Sequence, residues 1–254
     1  MRKRIIAGNW KMNFSPKQAE DFFEAIGSLG SASKVNSSKK AVIFPVAYCL
    51  NQALLQKAES AGFKVGAQNV HWEEKGAFTG ELSGSALKEI GVNNVLIAHS
   101  ERRSFFGETN ESACRRLKKA LDLGLEVIFC VGETQKEREA NQTESVLETQ
   151  LSGFYEILKS HKNQSNCSIA YEPVWAIGTG LTASAEQADQ AHRFIRALAE
   201  RFQAGLGSRT PILYGGSVTA QNAKALLSLE NIDGVLVGGA SLKPADFFEI
   251  LSVA

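Results

Sequence analysis

GETNESACRRLKKALDLGLEVIFCVGE, residues 107–133, holds one full turn of a repeating plan. Its first part opens acidic, turns basic and stops at Gly124. That order complements a helix dipole and supplies a left-handed C-cap. The second part, LEVIFCVGE (125–133), is a near-continuous apolar run, as expected of a parallel strand covered on both faces. Similar runs recur on both sides. RIIAGN (4–9), AVIFP (41–45), FKVGAQ (63–68) and NVLIAHS (94–100) precede it; SIAYEP (168–173), TPILYGG (210–216) and DGVLVGG (233–239) follow. Between them lie amphipathic stretches with start signals. Ser15-Pro16 offers an N-cap and a first-turn proline ahead of KQAEDFFEAIGSL, and SAEQADQAHRFIRALAERFQ and TAQNAKALLSL follow the same plan.

Strand–helix pairs repeated eight times in 254 residues, with no linker or low-complexity segment, predict one α/β domain over residues 1–254. The count favours a single-domain (β/α)8 barrel over an open doubly wound sheet, whose alternation is similar. Most connections are short. NVHWEEKGAFTGELSG (69–84) and the loop after the sixth run are long, and long loops in compact domains usually have a job or an interface.

With 44% apolar and 22% charged residues, the chain reads as soluble and able to bury a large core. A formal charge of +1, with signs well mixed, gives no electrostatic case for nucleic acid or an anionic membrane. The apolar run after the basic N-terminus stops at Gly8, too soon for a secretory signal, and no stretch reaches the length of a membrane span. Cys49, Cys114, Cys130 and Cys167 are scattered without a C-x-x-C, which fits free thiols in a reducing cytoplasm.

In a barrel the chemistry collects at the C-terminal ends of the strands. There stand Asn9 and Lys11, then His99, Ser100 and Glu101 with Arg102 and Arg103, then Glu172, and finally YGGS (214–217) and VGGAS (237–241). A single Gly-Gly after a strand is often only a tight turn. Two, after the seventh and eighth runs, match the recurring barrel phosphate site, where backbone N–H groups face the anion; Gly178 adds a further N–H. A lone strand-end histidine such as His99 is more often a hydrogen-bonded structural residue, and Lys11 is also readable as a surface lysine. His71, His161 and His192 show no metal spacing with it or with each other, so no metal site is expected. Glu101, backed by two arginines, reads as an ion-pair node. Glu172 differs, having Ala170, Tyr171, Pro173, Val174 and Trp175 around it and no nearby cation. Closing the apolar, glycine-hinged loop over this carboxylate would remove its water and make it a competent base; a solvated strand-end acid is the plain alternative.

AGNWKMN (7–13), AHSERR (98–103), AYEPVWAIGTG (170–180), YGGSV (214–218) and VGGASL (237–242) resemble, in order and spacing, the triosephosphate isomerase family, as do GAFTGE (76–81) and VIFCVGE (127–133). The resemblance spans essentially the whole chain and implies a TIM barrel. It also implies cofactor-free, metal-free interconversion of dihydroxyacetone phosphate and D-glyceraldehyde 3-phosphate, in the cytoplasm, in glycolysis and gluconeogenesis. Glu172 would be the base and a neutral His99 the electrophile, a pairing for which these isomerases are the standard illustration. Asn9 and Lys11 would stabilise the enediolate. Glu101 would support Lys11, and Gly178, Ser217, Gly238 and Gly239 would hold the phosphate. Thr79, near the tip of the long loop, would enter a second subunit close to Lys11, giving a homodimer. An exposed loop on a monomer is the alternative.

Departures from the family pattern are few. Ala98 stands where glycine commonly precedes the histidine, Leu181 replaces a frequent hinge lysine, Ala185 replaces a frequent proline, and FPVAYCL (44–50) is looser than the proline-rich form. They bear on rates. A Schiff-base aldolase would need a lysine on the sixth strand, where IAYEP stands. A binding protein on a decayed barrel would have lost polar groups that are all present here.

Overall fold

The computed structural model describes residues 2–178 and 183–254. The first half of the chain runs β1 (Arg4–Asn9), α1 (Pro16–Ser28), β2 (Lys39–Phe44), α2 (Gln52–Ser60), β3 (Phe63–Ala67), α3 (Gly84–Glu89), β4 (Asn94–Ile97), α4 (Ser100–Phe105) and α5 (Asn110–Asp122). The second half runs β5 (Glu126–Val131), α6 (Gln135–Glu139), α7 (Thr143–Ser160), β6 (Cys167–Tyr171), α8 (Ala185–Phe202), α9 (Leu206–Arg209), β7 (Ile212–Tyr214), α10 (Ala220–Leu227), β8 (Gly234–Val237) and α11 (Pro244–Val253). Each strand pairs in parallel with the next, and β8 returns to β1, so the sheet is a closed (β/α)8 barrel and the open alternative falls. Closure brings backbones very close: a Cβ on Gly234 would lie 1.9 Å from the Ile5 carbonyl oxygen.

The apolar runs are two-sided because alternate residues serve two cores. Ile5, Ala7, Val42, Phe44, Leu96, Ile128, Cys130, Ala170, Leu213 and Leu236 point inward and fill the barrel. Their neighbours, such as Ile6, Ile43, Ile97 and Phe129, pack outward against the helices. Trp10 meets Phe22 edge-on at 4.9 Å, and the cluster continues through Phe23 and Phe63 to Phe247. Each such fully buried side chain contributes roughly 1.5–3 kcal/mol. At the N-terminal end of the barrel the inward phase turns polar, with Lys40, Asn94 and Ser168 buried there.

Local signals set the boundaries. Ser15 caps α1 in a reciprocal box with Gln18, with Pro16 in the first turn, and Thr109 does the same for α5 with Ser112. Gly124, at φ 72°, ends the connection after α5 in the left-handed region. Without the proline, α8 still starts at Ala185, because Ser184 and Gln187 form the cap. β4 is shorter than NVLIAHS predicts: Ala98 turns the chain at φ 65°, and Ser100 already begins α4. That conformation costs an alanine roughly 1–2 kcal/mol. It is held by the Ala98 N–H donating to Glu108 Oε1 (2.8 Å) and the Ala98 carbonyl accepting from Arg103 Nε (3.0 Å). Among the described residues, no helix is long and apolar enough to cross a membrane.

Candidate active site

Asn9, Lys11, His99, Glu172, Gly178, Ser217, Gly238 and Gly239 line one cavity of about 300 Å³ at the C-terminal end of the barrel. Strand ends deliver them: Asn9 from β1, His99 just after β4, Glu172 just after β6, and the two glycine turns after β7 and β8. Glu101, at the rim, lies with Lys11 beside them, and Thr79 stands apart, exposed in the long loop after β3. Leu181 lies outside the described residues.

Glu172 is 1% exposed. Its Oε1 is 3.1 Å from His99 Nε2, and its Oε2 accepts from the Ser100 backbone N–H at 2.9 Å. Its own N–H donates to the Val131 carbonyl, and close packing fixes the stem. A Cβ on Gly132 would fall 1.7 Å from the Glu172 carbonyl oxygen, and one on Gly215 would sit 2.9 Å from its Cγ. Only glycine admits the acid at this place. Behind it, burial first and the carboxylate second push the fully buried Cys130 thiol well above its ordinary range, which leaves the sulfur protonated and unreactive.

His99 is the N-cap of α4, and its Nδ1 accepts from the Glu101 N–H at 3.3 Å. With Nδ1 an acceptor, the ring proton sits on Nε2 and is donated toward Glu172. Lys11 reaches Glu101 Oε1 at 2.6 Å. Its backbone is strained, at φ 53°, and is pinned from both sides: its N–H donates to Asn9 Oδ1 (3.0 Å), and Gln68 Nε2 donates to its carbonyl (2.8 Å). Asn9 thus positions the lysine as well as lining the cavity.

Beyond β7 and β8, the Ser217 and Gly239 N–H groups have no protein acceptor among the described residues. Gly238 opens the short turn Gly239–Leu242, and its carbonyl accepts from both the N–H and the Oγ of Ser241. Backbone donors turned into a cavity beside one ammonium suit a compact anion.

Three residues that the sequence reading passed over hold this arrangement. Gln68 ties the Lys11 carbonyl to that of Phe44. Glu108 braces the turn before His99 and accepts from Arg102 Nε at 2.7 Å. Glu133, fully buried, accepts from Tyr171 Oη (3.1 Å), Trp175 Nε1 (3.0 Å) and Arg138 (3.2 Å), which anchors the start of the loop after β6. Gln68 and Glu133 were visible only as polar residues at the end of an apolar run, and Glu108 only as part of an acidic helix start.

A closed barrel with its ionisable groups gathered beyond the strand ends places the chain in the (β/α)8-barrel class of enzymes. The family model for triosephosphate isomerase matches residues 4–254. A triosephosphate isomerase of Acidithiobacillus ferrooxidans is 46% identical over 254 residues, which cover 100% of this chain and 97% of that protein. One of Alkaliphilus oremlandii is 44% identical (99% and 100% covered), and one of Francisella philomiragia 43% (99% and 97%). The chain belongs to the triosephosphate isomerase family.

Proposed function

We propose that this chain interconverts dihydroxyacetone phosphate and D-glyceraldehyde 3-phosphate without a cofactor, in the cytoplasm, serving glycolysis and gluconeogenesis. The observation that carries the reading is the pairing of a buried carboxylate with an imidazole N–H donor, 3.1 Å apart, in the cavity that the glycine turns also line. Seated with its phosphate on Gly178, Ser217, Gly238 and Gly239, a triose would place its two carbons between Glu172 and His99. Glu172 takes the proton from one carbon, and the electron pair moves onto the carbonyl oxygen as an enediolate. His99 Nε2–H donates to that oxygen, while Asn9 and the Lys11 ammonium meet the developing negative charge. The hydroxyl proton passes from one substrate oxygen to the other by way of His99 Nε2, and return of the carbon proton from Glu172 to the neighbouring carbon completes the isomerisation. Glu101 aims Lys11 and keeps its charge in place.

In the resting arrangement Glu172 is tied to Ser100 and His99, so it must exchange those bonds for the substrate carbon. Closure of the loop beyond Pro173 supplies the drive, because a bound phosphate gains a contact with it only when shut. A coupled assay with dihydroxyacetone phosphate tests the reading directly. Turnover of ordinary enzyme magnitude, about 1–10³ per second, is expected, and no isomerisation would remove it.

The working form is a homodimer. Residues 73–80 are exposed, yet the loop is firmly built. Glu81 takes both Arg116 nitrogens (3.0 and 3.1 Å), and His71 stacks between Trp72 and Phe78. Thr79 projects from it, and Met12 (86%), Phe105 (77%) and Phe106 (70%) are apolar side chains left bare. Rigid apolar surface of this kind needs a cover. Thr79→Arg is expected to convert dimer to monomer in sedimentation equilibrium; a wild-type chain that sediments as a monomer defeats the reading.

A further inference from the structure

A larger cavity, about 510 Å³, opens at the opposite, N-terminal end of the barrel. Strand phase builds its wall. Lys40, Asn94 and Glu126 each stand two positions before an inward-facing apolar residue, Val42, Leu96 and Ile128. A lysine therefore occupies the lowest interior layer, where an apolar side chain is the ordinary filling. Lys40 is 8% exposed and Asn94 5%. Lys40 Nζ donates to Asn94 Oδ1 and to Glu126 Oε2 (2.7 Å), which uses two of its three N–H bonds. Asn94 Nδ2 has no acceptor among the described residues. The buried wall thus offers an incoming group mainly donors.

The rim continues the same sign. Lys3, Lys162 and Arg209 are exposed and make no ion pair among the described residues, while Arg2 is held by Asp233 (2.5 Å). Glu126 is the sole carboxylate in the lining. In a chain of formal charge +1 this is a local concentration of positive charge, set in a concavity that focuses it. The rest of the wall is mixed: Ile5, Val127, Leu206 and Pro211 form an apolar part, beside the polar Gln164, Ser165, Asn166 and Thr210. The volume exceeds what an inorganic anion needs and suits a small organic molecule.

We propose that this basal cavity binds an organic phosphate of nucleotide size. Its phosphates lie on Lys40, Asn94 and the lysine and arginine rim, and its ring body lies against the apolar wall. Being at the other end of the barrel from Glu172, the site does not depend on the isomerase reading. Equilibrium dialysis with ATP at low ionic strength tests it. About one ATP per chain is expected. Lys162→Glu combined with Arg209→Glu, both on the surface, should weaken binding roughly tenfold or more with an unchanged thermal melt by circular dichroism. If that variant does not fold, Lys40→Met is read in its place with the same expectation. Ser217→Glu, at the far mouth, should leave ATP binding intact. Absence of ATP binding, wild-type affinity in the folded basal variant, or loss of binding in Ser217→Glu would each overturn the proposal.

Discussion

Glu172→Asp is expected to lower the turnover number by roughly 10²-fold or more while changing KM much less. The shorter side chain withdraws the carboxylate by about one C–C bond, ~1.5 Å. Glu172 is held where its oxygens lie 3.1 Å from His99 Nε2 and 2.9 Å from the Ser100 N–H. A retreat of that size breaks both contacts and leaves the base short of a substrate carbon. The backbone cannot follow to restore them. Gly132 lies so tightly against the Glu172 carbonyl, and Gly215 against its Cγ, that the stem has no room to shift. The proposed phosphate contacts, at Ser217 and Gly239, are backbone N–H groups that do not involve the Glu172 carboxylate, so binding is spared. Steady-state kinetics in both directions, with each triose phosphate as substrate, is the measurement. A near-normal turnover number would take Glu172 out of the role of base.

The barrel was legible because each strand advertises itself locally. A run such as VIFCV (127–131) has to satisfy the helices with one set of residues and the barrel interior with the other, so no position in it is free to be charged. The strand-end residues were legible for a related reason: the apolar run stops, and the next polar residue stands at the mouth. What stayed hidden depends on partners distant in the chain or on backbone angles. Glu172 meets Ser100 across 72 residues, and nothing near either one announces the other. The left-handed turn at Lys11 carries no glycine to mark it; it is stabilised by Gln68, 57 residues away. Glu133 could not be told from a solvated strand-end acid until Tyr171 and Trp175 were seen to converge on it. Lys40 was hidden in the same way, since KKAVIF gives no hint that its second lysine faces into the barrel. Ala98 was readable as an alanine in a place where glycine is common, and φ 65° is the physical reason that glycine suits it.

Gly178→Pro carries the second large effect: a fall in isomerisation of roughly 10²–10³-fold, accompanied by more inorganic phosphate released per isomerisation. Gly178 lines the cavity at φ 69°, and a Cβ there would meet no atom of the described residues within 4 Å. With no described residue in the way, the positive φ is what calls for glycine, and its N–H is the group proposed to meet the phosphate. Proline fixes φ near −65° and has no N–H to give, so it removes the loop's proposed contact with the phosphate and the backbone angle at that position. The start of the loop would be undisturbed, because Val174 N–H donates to the Glu133 carbonyl and Trp175 Nε1 to the Glu133 carboxylate. The defect is therefore confined to closing. An enediolate phosphate exposed to water can expel its phosphate group, whereas one held dry between Glu172 and His99 is reprotonated first. Binding energy realised only in the closed state acts on the transition state more than on substrate affinity, so kcat is expected to fall further than KM rises. A colorimetric phosphate assay run beside the coupled isomerase assay gives the partition. A slower enzyme with the wild-type ratio of released phosphate to product would mean that the loop contributes rate without shielding the intermediate.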